Sequence, residues 1–207
     1  PAILAPLPTQ TGQVYMLDLG ANIDSEPQHL MQFALMGDVV ARALAGIDKP
    51  RIGLLNIGEE EIKGNDLIKQ THQLLKLSNL NYVGYVEGDG IFKGEADVVI
   101  CDGFVGNISL KTSEGVAKMM ANFIKQEINR NWLTKLTGVI AYPIWQGLKK
   151  KMNPSHYNGA SLVGLTGIVI KSHGSADADS FAQAVKVAIK AVEQDIPSLI
   201  AANMAQS

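Results

Sequence analysis

Residues 101–107, with the sequence CDGFVGN, most constrain how this chain can fold. They follow the largely apolar run 96–100, which predicts a buried strand, and they precede residues 108–128, whose apolar spacing is helical. A strand that breaks at glycines and then opens a helix leaves backbone N–H groups unpaired at one point, where the helix dipole also favours negative charge. The segment therefore predicts an anion site, to which Asp102 and Asn107 add polar groups. On this segment alone, a tight connection with an ordinary helix cap is an equally good interpretation.

The composition is that of a folded and nearly neutral protein. With 207 residues, 46% of them hydrophobic, the chain can bury a substantial core, and we expect a single α/β domain over residues 1–207. A net charge of −2 provides no basic field for nucleic acid. The lone cysteine, Cys101, is expected to be a packed and reduced thiol, which indicates a cytoplasmic location. No apolar run reaches the ~20 residues that a membrane-spanning helix needs.

Strand and helix patterns alternate along the chain. Apolar runs predict strands at 14–19, 51–56, 81–86, 97–101 and 166–171. Apolar residues spaced three or four apart predict helices at 27–46, 66–77, 108–128 and 177–203. Because the predicted strands are apolar throughout, we expect a mostly parallel sheet with helices on both faces. The last helix is expected to kink or divide at Pro197, and its apolar stripe comprises Phe181, Val185, Ala188, Ile189, Val192, Ile196 and Ile200.

The segment 128–152 departs from that alternation. It contains no acidic residue, and its positive charges lie towards the two ends of a largely apolar stretch. Aromatic residues beside lysines suit a membrane interface or an acidic partner. A helical hairpin packed on its own domain or on a second subunit explains the same pattern. We predict a hairpin at 119–157, with candidate contact residues Arg130, Trp132, Lys135, Trp145, Lys149, Lys150 and Lys151.

Glycines and polar residues follow four of the predicted strands. In open α/β sheets, ligands bind in the crevice beyond the carboxyl ends of the strands. Tight turns alone would be satisfied by Gly and Asp, without lysines a few residues further on. We therefore predict a site for an anionic small molecule, lined by Asp18, Gly20, Asn22, Asn56, Gly58, Lys63, Asp102, Gly103, Gly106, Asn107, Lys171, His173 and Gly174.

The four histidines differ in their predicted surroundings. His29 and His72 lie in predicted helices, on faces that we expect to be exposed to solvent and inert. His156 lies in a polar turn and is a candidate to line a cleft. His173 follows a buried strand, which makes it a candidate proton donor or charged phosphate ligand, with a structural turn histidine as the alternative.

Several common site motifs do not occur in the sequence. There is no P-loop motif, no His-Glu-x-x-His motif or Cys/His cluster for zinc, and no Gly-x-Ser-x-Gly nucleophile elbow. Residues 88–94 resemble the dinucleotide fingerprint, but they contain one residue too many and precede a strand. These features argue against P-loop, zinc, serine-hydrolase and nicotinamide-dependent enzymes.

Six strings occur in family order over nearly the whole chain: LDLGAN at 17–22, GLLNIG at 53–58, EEIKGN at 60–65, CDGFVGN at 101–107, YNGA at 157–160 and VIKSHG at 169–174. On these strings, the sequence resembles the acyl-carrier-protein:phosphate acyltransferase family of bacterial phospholipid synthesis. The opening string APLPT at 5–9 resembles the middle of that family's chain. We therefore expect this chain to correspond to the C-terminal part of a longer one.

The resemblance implies a fold and a reaction. The reaction converts a fatty acyl thioester of acyl carrier protein and inorganic phosphate into acyl phosphate and free carrier protein, with no cofactor or metal. The implied fold is a three-layer α/β/α sandwich with a mostly parallel sheet, similar to isocitrate and isopropylmalate dehydrogenases and to phosphotransacetylases, with a protruding helical hairpin. The resemblance further implies a homodimer with peripheral membrane attachment.

The resemblance also suggests roles for the site residues. Phosphate oxygen attacks the thioester carbonyl, so the site has to orient phosphate and stabilise an oxyanion. We expect Lys63, Asn107 and Lys171 to hold phosphate and the developing charge, and His173 to orient groups or protonate the thiolate. The further phosphate-binding candidates are Asp18, Asn22, Asn56, Gly58, Asp102, Gly103, Gly106, Asn158 and Gly174.

Two alternatives stay open on the sequence alone. An acyl-CoA phosphotransacetylase would use coenzyme A in place of the carrier protein and would need no membrane-facing hairpin. A non-catalytic fragment would serve only as a dimerising, membrane-binding module.

Overall fold

The computed structural model describes residues 1–152, 159–174 and 176–205, with the side chains of all of these except 148–152. The strands are β1 (Ala2–Pro8), β2 (Gln13–Leu17), β3 (Ile52–Leu55), β4 (Tyr82–Val86), β5 (Val98–Ile100), β6 (Ala160–Val163) and β7 (Val169–Lys171). The helices are α1 (Pro27–Ala45), α2 (Asp66–Leu77), α3 (Gly88–Lys93), α4 (Gly103–Ile128), α5 (Trp132–Ile140), α6 (Tyr142–Met152), α7 (Ala178–Glu193) and α8 (Ile196–Met204).

The strands form one sheet of seven in the order β4-β3-β5-β2-β1-β6-β7. Strands β4, β3, β5 and β2 are parallel, whereas β1 runs antiparallel to both β2 and β6. Strand β6 therefore runs in the same direction as β2, and β7 is antiparallel to β6. Since five of the seven strands point in one direction, the expected mixed α/β architecture with a mostly parallel sheet is confirmed.

Two strands escape the sequence patterns. Strand β1 lies between β2 and β6 inside the sheet, although its Pro6 and Pro8 argue against an interior strand. Both prolines lie towards the hairpin that joins β1 to β2, where Pro8 pairs with Gln13. Strand β6, at 160–163, is only four residues long and was not predicted. Because of these two strands, β7 runs antiparallel to β2, β3, β4 and β5.

The core is built on both faces of the sheet, as the continuously apolar strands predict. On one face, Leu17, Leu54 and Ile100 belong to a cluster that α1 and α8 cover. The alternate residues of the strands, such as Met16 and Val99, point to the other face and are equally buried. Helix α1 approaches the sheet closely because it has a glycine, Gly37, at the point of contact: a Cβ there would lie 2.5 Å from a methyl group of Val98.

The predicted C-terminal helix is two helices. α7 ends at Glu193 and α8 begins at Ile196, with Asp195 in the left-handed region (φ 46°) and Pro197 in the first turn of α8. Division at Pro197, one of the two expected outcomes, is thus confirmed. The α7 part of the apolar stripe is largely exposed, because α7 turns small residues inward, and the exposed members are Phe181, Val185, Ile189 and Val192.

The contacts divide the chain into two units. The first comprises residues 1–107 and 155–207 and contains the sheet, and the second comprises residues 108–154. The second unit contains most of α4, with α5 and α6, and it starts at 108, before the position 119 where the hairpin was expected. From 108 to 147, no residue is buried. None of the described helices is long and apolar enough to cross a bilayer.

Candidate functional site

Three loops leave the sheet side by side at one edge. They follow the carboxyl ends of the adjacent parallel strands β3, β5 and β2, and they are residues 56–65, 101–107 and 18–22 respectively. The strands end at a common level, because Ile100 of β5 is in register with Leu54 of β3 and with Leu17 of β2. This edge is where an open α/β sheet binds its ligand. The sequence correctly places these three loops together.

The loop after β2 is organised by the carboxylate of Asp18, which is completely buried. Its Oδ1 accepts hydrogen bonds from the backbone N–H groups of Ile3 (2.8 Å) and Gly20 (3.1 Å), and its Oδ2 accepts from that of Asn22 (2.7 Å). The N–H of Ala21 reaches both oxygens, and the Asn22 side-chain amide donates to Oδ2 at 2.8 Å. All these bonds are internal to the protein, so Asp18 shapes the loop and contacts no solvent.

The α4 N-terminus is capped, as the more ordinary interpretation of residues 101–107 anticipated. Asp102 Oδ1 accepts from the N–H groups of Phe104 (2.9 Å) and Val105 (3.0 Å). The N–H of Gly103 donates to the carbonyl of Asn22 at 2.8 Å. These first N–H groups of the helix are therefore occupied, and the expectation that they stand unpaired at this point is wrong. The acidic side chain that precedes the helix takes the place of an external anion.

The loops at 18–22 and 101–107 are locked to each other. A Cβ on Gly106 would lie 1.9 Å from the carbonyl oxygen of Asp18, so only glycine allows this approach. Asn107 Nδ2 donates to the carbonyl of Leu19 at 3.2 Å. Cys101 Sγ lies 3.4 Å from the Asp18 carbonyl, and burial raises the pKa of this thiol well above its usual value. The expectation of a packed thiol agrees with this placement.

The loop after β3 is hydrogen-bonded at its base, whereas its tip is exposed to solvent. The buried Asn56 donates from Nδ2 to the carbonyls of Gly58 (3.0 Å) and Lys63 (3.4 Å). A turn follows, in which the N–H of Lys63 donates to the carbonyl of Glu60 at 2.9 Å. Within the described residues, the N–H groups from 57 to 62 make no hydrogen bond, and the Lys63 side chain is exposed. This loop, rather than the start of α4, offers unpaired backbone donors beside a cation.

The fourth strand end lies elsewhere. Lys171 ends β7, which runs opposite to β6 and therefore opposite to β2, β3 and β5. His173 and Gly174 follow the end of β7 that lies at the opposite edge. Strand β7 is also three places from β2 in the sheet, about 14 Å at ~4.8 Å per strand. The expectation that all four strand ends share one edge is wrong, because the unpredicted strands β1 and β6 reverse β7.

Some predicted residues lie in the second unit or outside the description. Arg130, Trp132, Lys135 and Trp145 belong to the unit at 108–154, where Arg130 pairs with Glu127 at 3.2 Å. Lys149, Lys150 and Lys151 fall within α6, but their side chains lie outside the described residues, and Asn158 and His156 lie outside them entirely. Within the described ranges, no cluster of three or more metal-ligating side chains occurs.

One buried cluster escapes the sequence analysis. His72 on α2 is buried, not exposed as expected. Its Nδ1 lies 2.6 Å from the hydroxyl of Tyr82, and its ring stacks on Tyr85 with centroids 4.4 Å apart. Burial lowers the pKa of His72, and the charge of Lys76 lowers it further. The two tyrosines of β4, Tyr82 and Tyr85, are the signal that a polar ring could pack against this strand.

Comparison with known proteins agrees with the motifs. Residues 1–199 match the model of a family described as fatty acid synthesis protein. The chain is 59% identical over 207 residues to a phosphate acyltransferase of Alcanivorax borkumensis, covering 100% of this chain and 61% of the relative. It is 57% identical over 200 residues to one of Alkalilimnicola ehrlichii, covering 97% and 58%.

The solved structure of EutD phosphotransacetylase from Staphylococcus aureus is more distant, with 16% identity, a TM-score of 0.44, and coverage of 56% of this chain and 42% of that one.

The chain spans about three fifths of the length of the curated relatives that it matches. The resemblance expected from the six sequence strings is confirmed by the family match and by these identities. The chain belongs to the fatty acid synthesis protein family.

Proposed function

We propose that this chain carries part of the site of a phosphate acyltransferase. The reaction is attack of inorganic phosphate on the thioester of a fatty acyl chain carried by acyl carrier protein. The observation that carries the proposal is the loop after β3, where an exposed lysine follows a run of unpaired backbone N–H groups at the ligand-binding edge of the sheet. The curated relatives, which are named phosphate acyltransferases, support the same activity.

We assign a role in the reaction to the loops after β3 and β5. Phosphate bound by Lys63 and the N–H groups at 57–62 is oriented for attack on the thioester carbonyl carbon. Asn107 lies on the adjoining loop; one hydrogen of its Nδ2 goes to the Leu19 carbonyl, and we assign the other to the developing oxyanion. As the new O–C bond forms, the C–S bond breaks and the thiolate of the carrier protein leaves and takes up a proton. The products are acyl phosphate and free carrier protein.

Other predicted site residues shape the loops that carry Lys63 and Asn107. Asp18, Asn56 and Asp102 use their side chains to shape the three loops, and Gly103 and Gly106 let α4 approach the loop after β2. Asn22 and Gly58 complete the proposed phosphate environment. The topology of one copy directs Lys171 to the opposite edge, and we assign Lys171, His173 and Gly174 to the site of a second copy of the chain. The proposal therefore includes a homodimer.

The finer fold and the partners are part of the same proposal. We infer a three-layer α/β/α sandwich like that of isocitrate and isopropylmalate dehydrogenases. The unit at 108–154 contacts a membrane surface or the acidic carrier protein, since it combines exposed apolar side chains with basic residues and buries none of residues 108–147. Trp132, for example, is 73% exposed. The protein works in the cytoplasm, at the membrane periphery, without nucleic acid and without a cofactor.

Trapping the product with hydroxylamine tests the activity. The purified protein, supplied with acyl carrier protein bearing a fatty acyl group and with phosphate, is expected to produce acyl hydroxamate. Lys63→Ala and Asn107→Ala should each lower kcat/KM by about 10²-fold, the usual cost of removing one group that stabilises a developing charge. Lys69→Ala, an exposed lysine on α2, is the matched control and should retain full activity.

Three results would contradict the proposal. Normal activity of the Lys63→Ala variant would remove the loop after β3 from the site. Activity with acyl-CoA but not with the carrier protein would indicate a phosphotransacetylase. Sedimentation with liposomes without phosphate-dependent loss of thioester would indicate a non-catalytic membrane-binding module.

A further inference from the structure

Glu61 contacts two residues of helix α2 from the tip of the loop at 56–65. Its Oε1 is in direct contact with Lys76 Nζ and lies 3.8 Å from His72 Nε2. His72 and Lys76 are four residues apart in α2, so they lie on the same face of the helix and approach the same carboxylate. The contact with Lys76 lowers the pKa of Glu61, which keeps this carboxylate ionised.

On the helix side, the ring of His72 is buried and packed. His72 is 5% exposed, and its ring is fixed by the hydroxyl of Tyr82 and by stacking on Tyr85. Its Nε2 is buried, makes no hydrogen bond within the described residues, and lies 3.8 Å from the Glu61 carboxylate. The ring of His72 therefore lies beside the ion pair that Glu61 forms with Lys76.

The loop itself has few other attachments. Asn56 holds its base, and Asn65 caps α2 by accepting a hydrogen bond from the N–H of Ile68 at 3.0 Å. Between these two points, residues 59–63 are exposed. Within the described residues, the carboxylates of Glu59 and Glu60 make no ion pair, so Glu61 is the acidic side chain that joins this part of the loop to α2.

We propose that Glu61 is a positioning residue: through its ion pair with Lys76, beside the buried ring of His72, it holds the loop in the conformation that presents Lys63 and the unpaired N–H groups. The role of Lys63 in this statement rests on the proposed function, whereas the attachment of the loop to α2 does not. Because the pair is partly exposed, its contribution is modest, and we expect effects of about two- to fivefold.

Limited proteolysis tests the attachment without any assay of activity. Trypsin cleaves after Lys63, and the rate at this bond measures how often the loop leaves its fixed conformation. Glu61→Gln should raise that rate two- to fivefold. Glu59→Gln, which removes the same charge from the same loop, should leave it unchanged. Equal rates for the Glu61→Gln variant and the unmodified protein would overturn the proposal.

Variants on the helix side identify the partner. Lys76→Gln should speed cleavage as much as Glu61→Gln, the double variant should be no faster than either single variant, and Lys76→Arg should restore protection. Lys69→Gln, on the same helix but without an ion pair in the described structure, is the control. Additive effects of the two single variants would show that the residues act separately and would contradict the proposal.

Kinetics distinguish positioning from a merely structural role. Glu61→Gln should raise KM for phosphate two- to fivefold with little change in kcat, because a loosened loop binds the anion less well but reaches the same geometry once it is bound. Faster cleavage with an unchanged KM would overturn the positioning role. If the Lys63→Ala variant is fully active, the proposed function fails, and the proteolysis result still decides whether Glu61 fastens the loop.

Discussion

Replacing Asp18 with asparagine should strongly destabilise the unit that contains the sheet. The substitution keeps the shape of the side chain but leaves one acceptor oxygen where the carboxylate has two. Five donor groups converge on that carboxylate: the N–H groups of Ile3, Gly20, Ala21 and Asn22, and the Asn22 side-chain amide. The new amide group would direct its own hydrogens at donors on one side or the other.

The expected loss in the free energy of unfolding follows from the number of donors that lose their acceptor. Oδ1 serves Ile3 and Gly20, and Oδ2 serves both donors of Asn22, so either orientation of the new amide leaves at least two donors without an acceptor. A buried donor that loses its acceptor costs about 1–3 kcal/mol. The free energy of unfolding should therefore fall by about 2–6 kcal/mol, which is well above the effect of a typical surface substitution.

Urea unfolding followed by far-ultraviolet circular dichroism measures this change. Tryptophan fluorescence is unsuitable, because Trp132 and Trp145 both lie in the unit at 108–154 rather than in the unit that Asp18 supports. Asp24→Asn removes the same charge from an exposed position a few residues away and should change stability by less than about 0.5 kcal/mol. A loss below about 1 kcal/mol for the Asp18→Asn variant would refute the reasoning that these bonds organise the loop.

Two further predictions concern packing and pH. Gly106→Ala should lower the free energy of unfolding by about 3 kcal/mol or more, because its Cβ would overlap the Asp18 carbonyl. Gly115→Ala, at a helical glycine with no atom near its Cβ position, should leave the free energy of unfolding unchanged or raise it by up to about 1 kcal/mol. Equal unfolding midpoints for the two variants would contradict the close approach. Burial lowers the pKa of His72, so the unfolded chain binds this proton more readily than the folded one, and the free energy of unfolding should fall as the pH drops below about 6.5. His72→Gln should therefore reduce the change in urea midpoint between pH 7.5 and 5.5. An unchanged pH dependence of the midpoint would exclude this histidine as the cause of that dependence.

Local sequence patterns predicted the parallel half of the sheet and its loops well. Strands β3 and β5 are short and continuously apolar, and each ends at a polar residue and a glycine, so the strand, the edge and the loop can all be read from adjacent residues. The same holds for α2, whose N-cap Asn65 and apolar spacing predict its limits. These features depend on interactions between residues close in sequence.

The errors come from interactions between residues distant in sequence. The direction of β7 depends on the unpredicted pairing of β1 with β6, and no local pattern near Lys171 reveals it. The burial of His72 depends on two tyrosines of β4, which lie ten or more residues further along the chain. The occupied start of α4 depends partly on the carbonyl of Asn22, about eighty residues earlier.

The place of β1 in the sheet has a consequence for how the protein is made. Ala2 pairs with Val163, so β1 cannot pair with β6 until about 160 further residues have left the ribosome. Its other side closes early, through the hairpin with β2. During synthesis, the growing polypeptide therefore exposes an unpaired apolar strand in the middle of the future sheet, a state that favours association with other chains. A chaperone that shields this hairpin would protect the nascent protein until β6 arrives.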